Sequence, residues 1–143
     1  MSGTVAPEIL APEILAPVSA GELLDKIAIL RIKAARIADA AKLANVRREL
    51  GALEAVAVAA VPPRPGLPAL EAELRAVNEA LWDVEDDIRE HDARGDFGPA
   101  FVRLARAVYA TNDRRAAIKR AINDLTGSAL VEEKSYGAHG GPP

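Results

Sequence analysis

The side chains best suited to binding or catalysis recur at helical spacing in the second half of the chain. Asn78, Trp82, Glu85 and Arg89 are separated by four, three and four residues, which places them in one stripe on a helix. A second polar group follows further along: Tyr109, Asn112, Asp113, Arg115 and Lys119. Its cations could hold a phosphate or a carboxylate, and the aromatic rings could stack on a ligand.

Two interpretations of these groups stay open at this point. Unpaired buried polar groups cost roughly 1–3 kcal/mol each, so clustered ones satisfy one another as a network. Such a network can fix the register of two Ala/Leu-rich helices, as a buried Asn does in coiled coils. The alternative is an anionic or polar pocket, with Arg89, Arg115 or Lys119 on the ligand and Trp82 or Tyr109 stacked on a ring.

An acidic run at Asp83, Glu85, Asp86 and Asp87 suggests a different chemistry. Magnesium prefers carboxylates, and all-α nucleotide pyrophosphohydrolases pair acidic motifs on facing helices. The catalytic alternative uses Glu85, Asp86 and Asp113 as acid/base groups or magnesium ligands on a nucleotide or sugar-phosphate. An acidic run is more often a solvated helix face, so the main interpretation includes no metal and no cofactor, and an enzymatic role is left undecided.

The residue pattern predicts about four helices, and these must position the polar candidate residues. Ser19 and Glu22 form a capping box, followed by apolar residues at spacings of three and four as far as Ile37. Asp39 is the predicted cap of a second helix. The proline-rich stretch 62–68 then forces a connector.

The third and fourth helices are predicted to form a long antiparallel hairpin. An apolar seam runs from Leu67 to Ile88, a turn with Gly95 as the left-handed residue follows, and Asp96 and Pro99 begin the fourth helix, which Gly127 ends. Residues equally far from the turn lie level. Asn78 therefore comes level with Thr111 and Asn112, and we expect Asn78 and Asn112 to meet in the seam. The fourth helix is polar there: Thr111 and Arg115 take apolar positions.

Composition agrees with an all-α fold, an antiparallel helical bundle. Half of the residues are apolar and 3% aromatic, which suits Ala/Leu-rich helices. A net charge of -3 offers no basic excess for nucleic acid. Without cysteine there is no disulfide or thiolate site. No signal peptide or membrane span is expected, which gives a cytoplasmic location by default. The long apolar stripes also allow a homodimer.

Three regions follow from the residue pattern. Residues 1–18, with the repeat Ala-Pro-Glu-Ile-Leu between Ala6 and Leu15, are expected to be an extended, disordered arm. Residues 19–136 are expected to be one helical domain. Residues 137–143, rich in Gly and Pro, are expected to be a disordered tail.

Several strings resemble an uncharacterised bacterial family, domain-of-unknown-function family 6165. They are Val18 to Ile27, Ile29 to Lys33, Asn45 to Leu50, Val77 to Arg89, Leu104 to Arg106, Val108 to Tyr109, Asn112 to Ala116, Ile118 to Lys119, Thr126 to Ser128 and Glu132 to Tyr136. The resemblance covers about Val18 to Tyr136 and leaves the Ala/Pro arm and the Gly/Pro end outside. The string from Asn78 to Arg89 is also similar to a second helical family of unknown function.

The resemblance implies a pathway rather than a reaction. Members of both families tend to occur near glycosyltransferases for cell-surface polysaccharide, so a glycosyltransferase or another protein becomes a candidate partner. The shared strings also include Lys26, Lys33 and the terminal residues 132–136. We therefore add Lys26 and Lys33 to the ligand-binding candidates. The leading hypothesis is a small accessory protein that binds a polar or anionic ligand or a partner. Its alternatives are the enzyme above and a purely structural interaction module.

Overall fold

A computed structural model of the chain describes residues 13–135, and its helices are the regular secondary structure of that range. The helices are α1 (Ala20–Arg36), α2 (Ala40–Ala60), α3 (Leu67–Ala93) and α4 (Pro99–Thr126). The predicted all-α fold is confirmed. None of these four helices is both long and apolar enough to cross a membrane. The predictions for residues 1–12 and 136–143 lie outside the described residues, and residues 13–18 are non-helical and exposed.

Local sequence signals set the ends of α1 and α2. The Ser19 hydroxyl accepts a hydrogen bond from the Glu22 amide at 3.1 Å, which satisfies one free amide of the first turn of α1. The second half of the predicted capping box is wrong, because the Glu22 carboxylate bonds Lys119 on α4 instead. α1 ends at Arg36, and Asp39 caps α2 by accepting from the Lys42 amide at 3.1 Å.

The predicted hairpin of α3 and α4 is present, with one correction at its turn. Gly95 has a φ of 67°, a left-handed conformation that glycine adopts at little cost. α4 begins later than Asp96 predicted, since Gly98 is the N-cap and Pro99 follows in the first turn. The Asp96 carboxylate accepts from the Gly98 amide at 3.2 Å. That bond lowers the pKa of Asp96.

α1 is the central helix of the fold. It packs against α2, α3 and α4, while α3 packs along α4 and α2 packs on α1 alone. The core residues are Leu23, Leu24, Ile27 and Ala28 of α1 with Leu67, Leu74 and Ile122. α1 and α4 approach closely at Gly21, where an added Cβ would lie 2.4 Å from the Lys119 carbonyl oxygen. This close approach positions the polar residues of α1 beside α4.

We predict that Gly21→Ala destabilises the protein by about 2 kcal/mol, because the added methyl overlaps the backbone of α4 and over-packing costs roughly 1–3 kcal/mol. Gly51→Ala is the matched control. A Cβ there meets nothing within 4 Å, so replacing a helical glycine should stabilise by about 0.5–1 kcal/mol. Urea denaturation of both variants measures the difference. Equal stabilities would contradict the close crossing.

Candidate functional site

A buried carboxylate, that of Asp25, lies where α1, α3 and α4 meet. Asp25 is 0% exposed. Its Oδ1 accepts from Asn78 Nδ2 of α3 at 2.9 Å and from Arg115 Nε of α4 at 3.0 Å, and its Oδ2 accepts from Arg115 Nη2. Removing a charge from water is costly unless it is paired and hydrogen-bonded. The Asp25 carboxylate in turn raises the pKa of Arg115.

Lys119 lies one helical turn beyond Arg115 and binds two carboxylates. Its side chain is only 10% exposed. Its Nζ lies 2.7 Å from Glu22 Oε2 and 3.3 Å from Glu132 Oε2. Burial opposes the charged form, but the hydrogen bond and charge of Glu22 outweigh it, so the pKa of Lys119 is raised. Lys26 lies at the edge of this group, 3.8 Å from Glu22 Oε1.

Glu132 belongs to a non-helical segment, residues 128–135, that we call the strap. Gly127 has a φ of 68° and ends α4, after which the chain turns back. Glu132 bonds Lys119, and Glu133 bonds Arg120 at 2.9 Å. Because both partners on α4 lie 13 residues earlier, the strap runs back along α4.

The start of α1 fixes the beginning of the strap. The Ser128 hydroxyl accepts from the Ala20 amide at 3.2 Å and donates to the Leu130 carbonyl at 2.8 Å. Beside it, Asn123 Oδ1 of α4 accepts from the Gly21 amide at 2.7 Å. These bonds use early amides of α1 that have no partner within the helix. The strap is therefore anchored to α1 and α4.

A small cleft lies between α4 and the strap. Its volume is about 80 Å³. A water molecule needs at least about 10–15 Å³, so the cleft has room for a few waters or for one phosphate or carboxylate group. The lining residues are Asn112, Arg115, Ala116, Lys119, Glu132 and Lys134. Three cations, an amide and one carboxylate make a setting that suits an anionic group.

Two of the side chains that line the cleft have hydrogen-bond donors available for a ligand. Arg115 gives Nε and Nη2 to Asp25, which leaves Nη1 outside that pair. Asn112 is half-buried and forms no side-chain hydrogen bond with the described residues. Since Asp25 holds the guanidinium in place, its remaining donor is oriented before any ligand arrives.

The structure brings together part of the predicted site. Asn78, Arg115 and Lys119 belong to one polar network, Lys26 touches its edge, and Asn112 lines the cleft. Asn78 is predicted to meet Asn112, but in the structure it donates its side-chain hydrogen bond to Asp25 instead. α1 packs against both hairpin helices, and its carboxylate is a stronger acceptor than an amide.

Other predicted residues lie apart from this network. Trp82 is half-buried under the Arg36 guanidinium, whose carbon is 5.5 Å from the ring centroid, and Arg36 also binds Asp83 at 2.7 Å. Lys33 is half-buried on α1. The exposed candidates, with no hydrogen bond to the network, are Glu85, Asp86, Arg89, Tyr109 and Asp113. Within residues 13–135, no three His, Cys, Asp or Glu residues are grouped so that they could hold a metal ion.

Sequence reasoning missed the three carboxylates of this network, Asp25, Glu22 and Glu132, as site residues. A signal was nevertheless present, since Gly21, Asp25, Ala28 and Ile32 are spaced by four, three and four residues, and all four are buried. A lone carboxylate on such a stripe requires a cation from another helix.

Comparison with known proteins identifies a family but no activity. A family model described as a family of unknown function (DUF6165) matches residues 14–143. No curated protein and no solved structure matches the chain significantly. The match includes the Gly/Pro end, so the expectation that this end falls outside the resemblance was wrong.

We predict that Asp25→Asn destabilises the protein by about 3 kcal/mol, because it leaves the partly buried Arg115 without its counter-charge. Asp83→Asn is the control. It breaks the exposed Arg36 pair, and exposed pairs contribute little. Chemical denaturation measures the free energy of unfolding of both variants. A loss for Asp25→Asn no larger than that for Asp83→Asn would contradict the structural importance of the Asp25 network.

A second prediction concerns alkaline pH. Because the pKa of Lys119 is raised in the folded protein above its usual 10.5, its contribution to stability is complete below that value. The contribution is lost as the pH rises through the folded-state pKa. Urea midpoints measured from about pH 9 to 11.5 should therefore fall more steeply for the native chain than for Lys119→Met. Parallel curves would show that Lys119 gains no such stabilisation.

Proposed function

The chain belongs to the DUF6165 family of unknown function, and we propose that it is a small helical binding protein that holds an anionic group in the cleft beneath its strap. The group is a phosphate or a carboxylate. One observation carries this proposal: a carboxylate of the chain itself, that of Glu132, already lies in the cleft against Lys119. In this role Glu132 stands where the ligand's anion would bind.

Lys119 lies closer to Glu22 than to Glu132, and this difference supports the exchange of Glu132 for a ligand. Its 2.7 Å bond to Glu22 has the length expected of a charge-assisted hydrogen bond. Its distances to Glu132 are 3.3 and 3.4 Å, and the Glu132 side chain is 49% exposed. Exposed ion pairs contribute roughly 0–1 kcal/mol. A ligand could therefore displace Glu132 while Glu22 keeps Lys119 paired.

The cleft also offers donors that Glu132 does not use. Arg115 Nη1 is outside the pair with Asp25, and the Asn112 amide has no hydrogen-bond partner among residues 13–135. A phosphate has more acceptor oxygens than a carboxylate, so it can reach Lys119, Arg115 and Asn112 together. Donors fixed in advance lose little entropy on binding.

The other hypotheses have less support. Glu85, Asp86 and Asp113 are exposed and share no hydrogen bond with the cleft, so the catalytic alternative lacks a comparable observation. A purely structural role accounts for Asp25 but not for the unused amide of Asn112. Cell-surface polysaccharide metabolism, a glycosyltransferase partner and a cytoplasmic location remain predictions. Sugar phosphates and nucleotide-sugars would be the anions of such a pathway.

We predict that inorganic phosphate or a nucleoside diphosphate-sugar raises the unfolding midpoint, since a ligand that binds only the folded state stabilises it. Glu132→Gln should strengthen binding about fivefold, because it removes the competing carboxylate and an exposed pair contributes up to about 1 kcal/mol. Glu133→Gln, which alters the Arg120 contact outside the cleft, should leave affinity unchanged. Titration calorimetry measures the affinity of the native chain and of both variants for these anions.

Asn112→Ala separates a binding role from a structural one. We expect its stability to stay close to that of the native chain, because the amide has no hydrogen-bond partner within residues 13–135 to lose. Its affinity for phosphate should fall about tenfold or more, as one hydrogen bond to a charged group contributes roughly 1.5–3 kcal/mol. A strongly destabilised variant would favour the structural role. Absence of binding in both the native chain and Glu132→Gln would refute the proposal.

A further inference from the structure

The C-terminal end of α2, from Ala55 onward, is apolar on all sides. From Ala55 to Val61 every residue is Ala or Val. α2 nevertheless packs on α1 alone, and its only buried residue is Val46. Val58 is 88% exposed and Val56 is 47% exposed. A helix that is apolar all round is normally buried all round, so this part of α2 lacks a partner on its outer side.

A groove lies next to this face, between α2 and α3 with α1 as its floor. It exists because α2 and α3 do not pack against each other, and its volume is about 600 Å³. Leu24, Ile27 and Ala28 form the floor. Val58 belongs to the α2 wall and Leu67 to the α3 wall. The exposed Val58 joins the apolar lining of this groove to the outer face of α2, and contiguous exposed apolar surface typically marks an interaction site.

We propose that a second copy of this chain occupies the groove, in a two-fold dimer formed around the paired α2 helices. A two-fold interface uses the same patch on both copies, so the patch must be complementary to itself. This patch contains both an exposed apolar helix and an apolar groove beside it. α2 of each copy then lies along the groove of the other.

The charges around the groove also fit a second copy. Two cations, Arg31 and Arg75, and two anions, Glu54 and Glu71, line it together with the apolar residues. Arg31 and Glu54 are paired at 2.8 Å. A rim of one sign would repel its own copy, whereas a balanced rim presents opposite charges to a copy of itself. A strongly cationic or anionic partner would have no such match.

The test is the mass of the native chain in solution, measured by sedimentation velocity over a range up to about 100 μM. A dimer is expected. Val58→Lys should raise its dissociation constant at least about tenfold, because a lysine at the centre of the contact must be desolvated. Circular dichroism should show Val58→Lys to be as helical as the native chain, since Val58 is 88% exposed in one copy.

Val102→Lys is the matched control. Val102 is 49% exposed on α4, outside the groove, so this variant should dimerise like the native chain. A native chain that is monomeric at about 100 μM would overturn the proposal and leave the groove to a different protein. A Val58→Lys variant that dimerises as tightly as Val102→Lys would also overturn it. Phosphate binding measured on the same variants keeps this result distinct from the cleft, which lies between α4 and the strap.

Discussion

The fold depends on satisfying one buried carboxylate. Asp25 has no access to solvent, so α3 and α4 must each present a donor at its level, and Asn78 and Arg115 do so. Sliding either helix by one turn would leave the charge unpaired, at a cost of several kcal/mol. The same contact immobilises the Arg115 guanidinium beside the cleft. The structural and the binding interpretations of the polar network are thus compatible, since the residue that fixes helix register also orients a donor.

α1 connects the two surfaces of interest through different faces. Glu22 and Asp25 face α4 and the polar network, whereas Leu24 and Ala28 form part of the groove floor beside α2. Glu22 and Asp25 are three residues apart and Leu24 and Ala28 are four apart, so each pair lies on one face of the helix. Because Asp25 directly follows Leu24, the two pairs lie on different faces. One short helix therefore supports the proposed anion-binding cleft on one side and the proposed dimer surface on another.

Local signals in the sequence predicted the elements well and their mutual contacts poorly. Helix ends depend mainly on neighbouring residues, and the structure has the predicted end residues, Asp39, Gly95 and Gly127, at the expected places. Asp25 pairs with residues 53 and 90 positions away, and periodicity cannot reveal which helix a face meets. Glu22 shows the same limit, because a charged partner on α4 displaced a local capping bond. Counting from the turn compared only α3 with α4 and took no account of α1, whose Asp25 carboxylate accepts from Asn78.

The return of the strap along α4 has a consequence for selectivity. Glu132 is tethered by only a few residues to the helix that carries its partner, so its carboxylate is present at an effective concentration on the order of millimolar. A free anion must compete with that local concentration before it can bind. A singly charged carboxylate at lower abundance would leave Glu132 in place, whereas a phosphate also gains Arg115 and Asn112. In the proposed anion binding, the tether thereby sets a concentration threshold and favours a phosphate over a simple carboxylate.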